Sequence, residues 1–342
     1  MLKFIIKRIL MVIPVLIGVS IIVFCLLRVF APDPAPIVLG QHATQASMQK
    51  WRDANGLNKP VTTQYLEYVQ GIFKGDLGKS YYTQTKVTDE IKARFPATIE
   101  LAITAIIFAT IFGIILGVIA AVKKNSILDA VSTLIALVGV SIPIFWLGIL
   151  LMMIFCGPGK HFISFPAGGR ITPLMSPAQI TGLYTLDALL TGNWASLQDA
   201  VRHLVLPAFT LGMYSMAIIT RITRSTMLDS LNQDYVRTAR AKGIREIKVV
   251  MKHALRNSMI PVTTVIGLQF GGLLGGALLT ESVFSWPGIG KFMVGCILNS
   301  DFPIVQGIVL LVAVIFVLVN LAADIGYAFL DPRIRYTSKK EG

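Results

Sequence analysis

Residues Ile9 to Phe30 read ILMVIPVLIGVSIIVFCLLRVF, an apolar stretch that meets no charge before Arg28. A bilayer core about 30 Å thick is crossed by about 20 apolar residues in a helix, whereas the core of a secretory signal is only about 7 to 15 long. Lys3, Lys7 and Arg8 ahead of it suit either kind of segment, so length decides for a retained anchor. Five further apolar runs follow: Ile99 to Val122, Ala130 to Cys156, Leu204 to Ile219, Met259 to Phe284 and Ile304 to Leu330. The composition agrees, with 54% apolar and 14% charged residues and a mean hydropathy of +0.69, against about 25% charged in an ordinary soluble domain. The expectation is an all-α polytopic membrane protein with about six transmembrane helices. Residues 1–30 are tail and first span, 31–97 a small extracytoplasmic segment, 98–330 the transmembrane core, and 331–342 a tail.

A net charge of +13 would suggest a polyanion such as nucleic acid as partner of a soluble protein. Its placement points to the lipid bilayer instead. Eighteen of the 31 Lys and Arg fall in segments 1–8, 123–124, 221–256 and 331–342, most of them short and close to span ends. Basic residues so placed resist translocation, which puts both termini and these segments in the cytoplasm.

Between the first two spans, Leu66, Val69 and Phe73 recur at helical spacing, and Val87, Ile91 and Phe95 follow before Pro96 is expected to stop the pattern. Helices here can lie on the membrane or dock an outside partner. The second outer segment, Gly157 to Arg202, is rich in Gly, Pro, Ser and Thr and is predicted to be a long loop.

Chemistry of the catalytic kind is missing from the pattern. Cys25, Cys156 and Cys296 have no metal spacing, and His42, His161, His203 and His253 are scattered. Gly78-Lys79-Ser80 imitates the end of a phosphate loop, but Phe73 stands where its first glycine belongs. Candidates for a pathway or gate are few. The fourth run is short for a span, carries Pro207, and includes Tyr214 and Ser215, which either bond to neighbouring helices or line a wet path. Gly271 and Gly275 belong to a small-residue pattern in the fifth span, suited to close helix packing or to a flexible element. Arg28 and Glu281 fall near outer span ends, where they can snorkel, and Asp324 lies deeper beside Asn320. Asp324 and the polar fourth run together keep open an ion-gradient-driven carrier or channel; a non-transporting scaffold is a third possibility.

The cytoplasmic connection 221–258 is dense in charge yet carries Leu228, Leu231, Tyr235, Val236, Ile244, Ile247 and Val250, with small Ala239, Ala241 and Gly243 between two short helical stretches. That amphipathic character suits a bend inserted into a groove of another protein, or a helix resting on anionic lipid.

Here a resemblance becomes specific. Asp234-Tyr235-Val236-Arg237-Thr238-Ala239-Arg240-Ala241-Lys242-Gly243, then His253-Ala254-Leu255-Arg256-Asn257, resembles the ATPase-contacting loop of peptide-family ABC importer permeases. Gly75-Asp76-Leu77-Gly78, Ser141-Ile142-Pro143-Ile144-Phe145-Trp146, Thr280 to Gly288 and Asp331-Pro332-Arg333-Ile334-Arg335 are similar to the same family, so the likeness covers nearly the whole chain and favours the first-permease type. Of the wider importer pattern, Glu-Ala-Ala, three residues, Gly, nine residues, Ile-x-Leu-Pro, only Ala239, Gly243 and Leu255 are matched. The resemblance implies a type I ABC importer permease fold and a coupling helix, with Tyr235, Arg237, Ala239, Arg240, Ala241, Lys242, Gly243 and Leu255 seated against a separate ATPase. It implies, as partners, a second homologous permease, two ATP-binding subunits and an extracytoplasmic peptide-binding protein. ATP and Mg would be used by the partner ATPases, with no cofactor on this chain, which would then be no enzyme. The implied place is the bacterial plasma (inner) membrane. Dipeptides are the favoured cargo, with oligopeptides, glutathione or nickel complexes as the range among related permeases.

Overall fold

The computed structural model describes residues 2–40, 42–156 and 164–330, with side chains over positions 10–322 of these. His161, the stretch Asp331 to Arg335 and the tail 331–342 lie outside the described residues. The helices in chain order are α1 Leu2–Val29, α2 Pro34–Leu39, α3 Gln45–Ala54, α4 Val61–Phe73, α5 Val87–Val122, α6 Ile127–Ser141, α7 Ile144–Phe155, α8 Tyr184–Leu190 and α9 Trp194–Leu231. They continue with α10 Asp234–Ala241, α11 Glu246–Lys248, a π-helical turn Val249–Ala254, α12 Leu255–Val283, α13 Ile289–Leu298 and α14 Phe302–Leu330. Among the described residues five helices are long and apolar enough to cross a membrane, and the bent pair α6–α7 makes up to six. Among the described residues there is no strand beyond one isolated bridge, Lys79 to Lys86. The all-α polytopic expectation holds.

The core is built on α5 against α9. Ala97, Leu101, Ala105, Ala109, Gly113, Gly117 and Ala121 recur every fourth residue along α5, and all are buried. A Cβ on Gly113 would come within 2.8 Å of Ile219 Cγ2, and one on Gly117 within 2.5 Å of Thr223 Cβ. Gly212 of α9 returns the fit, since its Cβ would meet Ala105 O at 2.7 Å. Apolar lipid gives helices no hydrophobic reason to associate, so backbone proximity through small residues is what binds such a pair. α12 and α14 pack beside this seam, and α1 lies at the edge against α14, with 11% of its span buried.

Several boundaries differ from those expected. Pro96 does not stop α5, which runs through it from Val87, so the helix that carries the second apolar run starts ten residues before position 97. The run Ala130 to Cys156 is no single straight helix: α6 and α7 meet at 109°. Pro143 supplies no amide to α6, and Ile142 before it is held extended at φ −82, ψ 127. α9 passes through Pro207 without a break and reaches 38 residues, so the fourth run is neither short nor interrupted. It also begins at Trp194, which with α8 replaces the end of the loop expected over Gly157 to Arg202. The first third of the 221–258 connection is simply the end of α9. α13, ten residues of apolar helix too short to span, was not anticipated.

Candidate functional site

The hairpin of α10, α11 and the π turn is assembled from residues with separate tasks. Val236 and Ala239 on the inner side of α10 pack on Val249 and Ile244, which fixes α10 against the π turn. The next residue, Val250, joins Ala254, Met227 and Ala121 in a second cluster that includes Leu228, Leu231 and Leu255. The π turn therefore touches α10 with one residue and the ends of α5 and α9 with its neighbour. Gly243 ends α10 at φ +72 with nothing within 4 Å of where its Cβ would stand, so glycine is required by backbone conformation and by no close neighbour. Its amide donates to Arg240 O at 2.9 Å, and the Ile244 amide to Ala239 O at 3.3 Å, closing the helix end. Arg240 donates to both Glu246 oxygens, Nη2 at 2.7 Å and Nε at 3.1 Å. Those hydrogen bonds hold the Glu246 carboxyl below its ordinary range. Tyr235, Arg237, Arg240, Ala241, Lys242 and Gly243 face outward, as do Ile247 and Met251.

At the opposite end, three segments meet on the N-terminal part of α5. Arg170 donates through Nε to Glu100 Oε2 at 2.7 Å, and Thr185 donates to Oε1 through its amide at 2.7 Å and its hydroxyl at 2.6 Å. The Arg170 guanidinium also donates to Gly182 O and stacks 3.8 Å from the Tyr184 ring centroid. Two residues earlier, Thr98 Oγ1 donates to Glu281 Oε1 at 2.6 Å and accepts the Ile289 amide at 2.9 Å. Glu281 Oε2 takes the Lys291 amide at 2.9 Å, which places the carboxylate at the positive N-terminus of α13. Trp286, fully enclosed, donates its indole N–H to Ala97 O at 2.8 Å. The Gly169 amide donates to Phe284 O at 3.0 Å and completes the junction. Nearby, Asp187 accepts from Thr181, Ile180 and Gly182. Burial alone would raise its carboxyl, and those hydrogen bonds outweigh burial and hold it below its usual range.

The residues expected from sequence divide cleanly. On the hairpin, Ala239 and Leu255 are internal packing, and the other six form the exposed surface. The pathway candidates do not share one face. Tyr214 is 42% exposed on α9, whereas Ser215 is buried and donates to Gln269 Oε1 at 3.1 Å. Gly271 and Gly275 turn toward Phe316 and Val312 of α14, while Gly272 and Gly276 have no neighbour within 4 Å of their Cβ positions. Glu281 does not snorkel; it is fully buried in the outer junction. Arg28 lies 5.4 Å from the ring centroids of both Phe24 and Phe302. Asp324 lies on α14, with its side chain outside those described. Glu100, Arg170 and Glu246 were missed. Glu100 gave the one local signal, a carboxylate inside a run otherwise free of charge. Among the described residues no group of three or more His, Cys, Asp or Glu is arranged to hold a metal ion.

Comparison with known proteins bears on both ends of this arrangement. A family described as the binding-protein-dependent transport system inner membrane component matches residues 113–336, and its N-terminal companion matches residues 1–102. The dipeptide transport system permease protein of Alkalihalophilus pseudofirmus is 45% identical over 336 residues, covering 98% of this chain and all of that protein. The di/tripeptide transport system permease protein of Pseudomonas aeruginosa is 45% identical over 337 residues, 98% of this chain and 99% of its own. The glutathione transport system permease protein of Escherichia coli is 40% identical over 336 residues, again 98% of this chain and all of that protein.

Proposed function

Because the chain belongs to the family of binding-protein-dependent transport system inner membrane components, we propose that it is the permease subunit of an ATP-driven importer of small peptides, dipeptides first. The observation that carries this reading is identity of about 45% over 98% of the chain to permeases named for dipeptide and di/tripeptide transport. The hairpin supports the coupling part. Its outward face of Tyr235, Arg237, Arg240, Lys242 and Gly243 is rigid, because its inner face is packed and its two arms are tied by Arg240 and Glu246.

In this reading a separate ATP-binding subunit grips that face, and a second homologous permease completes the pathway. The assembly comprises two such permeases, two ATP-binding subunits using ATP and Mg, and an extracytoplasmic binding protein that delivers the peptide. This chain binds no cofactor of its own. It lies in the plasma membrane with both termini and the hairpin inside, in keeping with the Lys and Arg placement. The open faces of α12 at Gly272 and Gly276 and of α9 at Tyr214 are left for the partner permease and the path between them.

Proteoliposomes holding the assembled complex test this directly. ATP-dependent accumulation of a labelled dipeptide, dependent on the binding protein, is expected. Accumulation of glutathione with exclusion of dipeptides would move the cargo to the class of the Escherichia coli relative. Flux driven by an ion gradient through this chain alone would overturn the reading.

A further inference from the structure

Beside α13 lies a cavity of about 510 Å³. One wall is a single face of α13 and its C-cap, where Lys291, Phe292, Gly295, Cys296 and Asn299 recur at helical spacing. The facing wall is made by Ser80, Tyr82 and Thr83 of the turn between Lys79 and Lys86, with Arg94 of α5. The Tyr82 hydroxyl ties the two walls by donating to Asn299 O at 2.8 Å. Gly295 leaves the cavity open between them, since nothing stands within 4 Å of where its Cβ would be.

The acids around this cavity are all engaged by groups of the chain itself. Asp301, 3% exposed, accepts from Ser80 Oγ at 2.5 Å and from the Tyr81 amide at 3.0 Å. Glu281 lies behind Gly288, buried, and is bound by Thr98 and the Lys291 amide. Glu90 takes Arg94 Nη1 and the Thr85 hydroxyl. The cations are not used up in this way. Lys291 is exposed, and its ammonium group has no partner among the described residues. Arg94 lies with Cζ 3.9 Å from the Phe292 ring centroid and donates only through Nη1, which leaves Nη2 free. Lys79 and Lys86, exposed and likewise unpaired among the described residues, oppose each other across the isolated bridge, where like charges repel.

A cavity of this build offers free donors and positive charge beside the aromatic surface of Phe292 and Tyr82. That suits a lone carboxylate, which forms charge-assisted hydrogen bonds with Lys and Arg. A zwitterionic peptide fits less well, because no free acid remains for its ammonium group. In the orientation proposed above, both walls belong to outer connections, the side on which a binding protein must dock.

We infer that this cavity receives an acidic side chain of the extracytoplasmic binding protein. Its carboxylate is held by Lys291 with Arg94, its stem passes over Gly295, and Lys79 and Lys86 draw the acidic surface in by long-range attraction. The inference rests on the function proposed above, which supplies the binding protein and the outward placement of α13.

The test measures association of the purified, peptide-loaded binding protein with the assembled complex in nanodiscs. Lys291→Glu should weaken affinity at least about tenfold, mostly through faster dissociation, whereas Lys291→Arg should stay within about threefold of wild type. The Lys291 side chain holds no other group of the chain, so the fold tolerates both changes. Gly295→Leu, which places a side chain in the open space, should weaken binding to a similar degree. Lys79→Gln with Lys86→Gln should slow association at low salt, and the difference should fade as salt is raised. Wild-type affinity in both Lys291→Glu and Gly295→Leu overturns the inference. So does a Lys291→Glu complex that keeps its affinity for the binding protein but loses affinity for free dipeptide, which would make the cavity a cargo site. Loss of bound phosphatidylglycerol in native mass spectra of Lys291→Glu, with docking unchanged, overturns it in favour of lipid. A wild-type complex that binds no binding protein at all would sink the proposed function as well, so the two failures are told apart.

Discussion

Replacing Arg170 with methionine tests whether the outer loop is held to the membrane core by a buried charge. In the native protein the guanidinium and the Glu100 carboxylate are 8% and 3% exposed. The Arg170→Met substitution would leave Glu100 Oε2 without a donor and Oε1 with only the two from Thr185. Removing one partner of a buried ion pair costs about 3–5 kcal/mol, because the remaining charge stays desolvated. At the lower end this is roughly a 150-fold shift in an opening equilibrium, since each factor of ten is about 1.4 kcal/mol. The Thr185 amide reports on that equilibrium, because it exchanges only when its bond to Glu100 opens. Hydrogen exchange on the intact complex should therefore show amides from Ile180 to Leu190 exchanging at least about a hundredfold faster in Arg170→Met. The double variant Arg170→Met with Glu100→Gln should recover at least half of the lost free energy, because no charge is then stranded. Exchange of Thr185 within about threefold of wild type in Arg170→Met would refute the reasoning, as would a double variant worse than the single.

Gly117→Val should separate α5 from α9, since its Cβ meets Thr223 at 2.5 Å and Thr220 O at 2.8 Å. A cost of at least about 3 kcal/mol is expected, read as loss of monodisperse complex, while Gly272→Ala, with open space around it, leaves the complex intact. Gly243→Val forces a branched residue to φ +72 at a cost of about 1–2 kcal/mol. Capture of the ATP-binding subunit in a pull-down titration should weaken roughly 5- to 30-fold, and Gly243→Asn should restore most of it. Asp187 carries a depressed folded pKa, so its contribution is complete above the unfolded value of about 3.9 and is lost as pH falls through the lower folded value. Proteolysis of the loop at Ile180 to Asp187 should be flat from about pH 7 to about 5 and accelerate only below about 4, and acceleration already at about pH 6 would contradict the assignment.

The spans were legible because some twenty apolar residues have one common use, and that signal survives in α1, α5, α12 and α14 without any knowledge of packing. Prolines misled in both directions. Pro96 and Pro207 sit inside helices that run through them, whereas Pro143, in a run that reads as one span, turns the chain by 109°. Local sequence does not say whether neighbouring helices hold a proline-containing span straight. The four-residue stripe of α5 was present in the sequence, but alanine draws less notice than glycine, and the visible glycines of α12 proved to be half seam and half open face. Glu100 and Arg170 lie 70 positions apart, in a span and a loop, so no periodicity could pair them. On the hairpin, six of the eight residues expected to meet a partner are exposed while Ala239 and Leu255 are packed inside, and the π turn and the Arg240–Glu246 tie depend on backbone geometry that composition does not carry.

α5 connects the two ends of this protein. Its 36 residues span about 54 Å as a helix, enough to cross the bilayer and extend beyond it. At its inner end Ala121 packs in the cluster that holds Val250 of the π turn, and at its outer end Ala97, Thr98 and Glu100 each bind a different segment. Between these points α9 approaches it closely at Gly113, Gly117 and Gly212, and Leu101, Phe108, Phe209 and Met216 pack around those close approaches. In the proposed reading, a push delivered to α10 would pass through Val249 and Val250 into the packed ends of α5 and α9, and α5 would carry that movement to the junction at Thr98 and Glu100. The buried Glu281 and Glu100 make that junction stiff, because the bonds to these two carboxylates cannot be released without leaving a carboxylate in an apolar surround. Softening the inner contact, as Val250→Ala would, should loosen the coupling between ATP hydrolysis and peptide uptake in proteoliposomes while leaving hydrogen exchange at Thr185 unchanged. A Val250→Ala complex that kept full coupling would mean that the movement reaches the outer face by another helix.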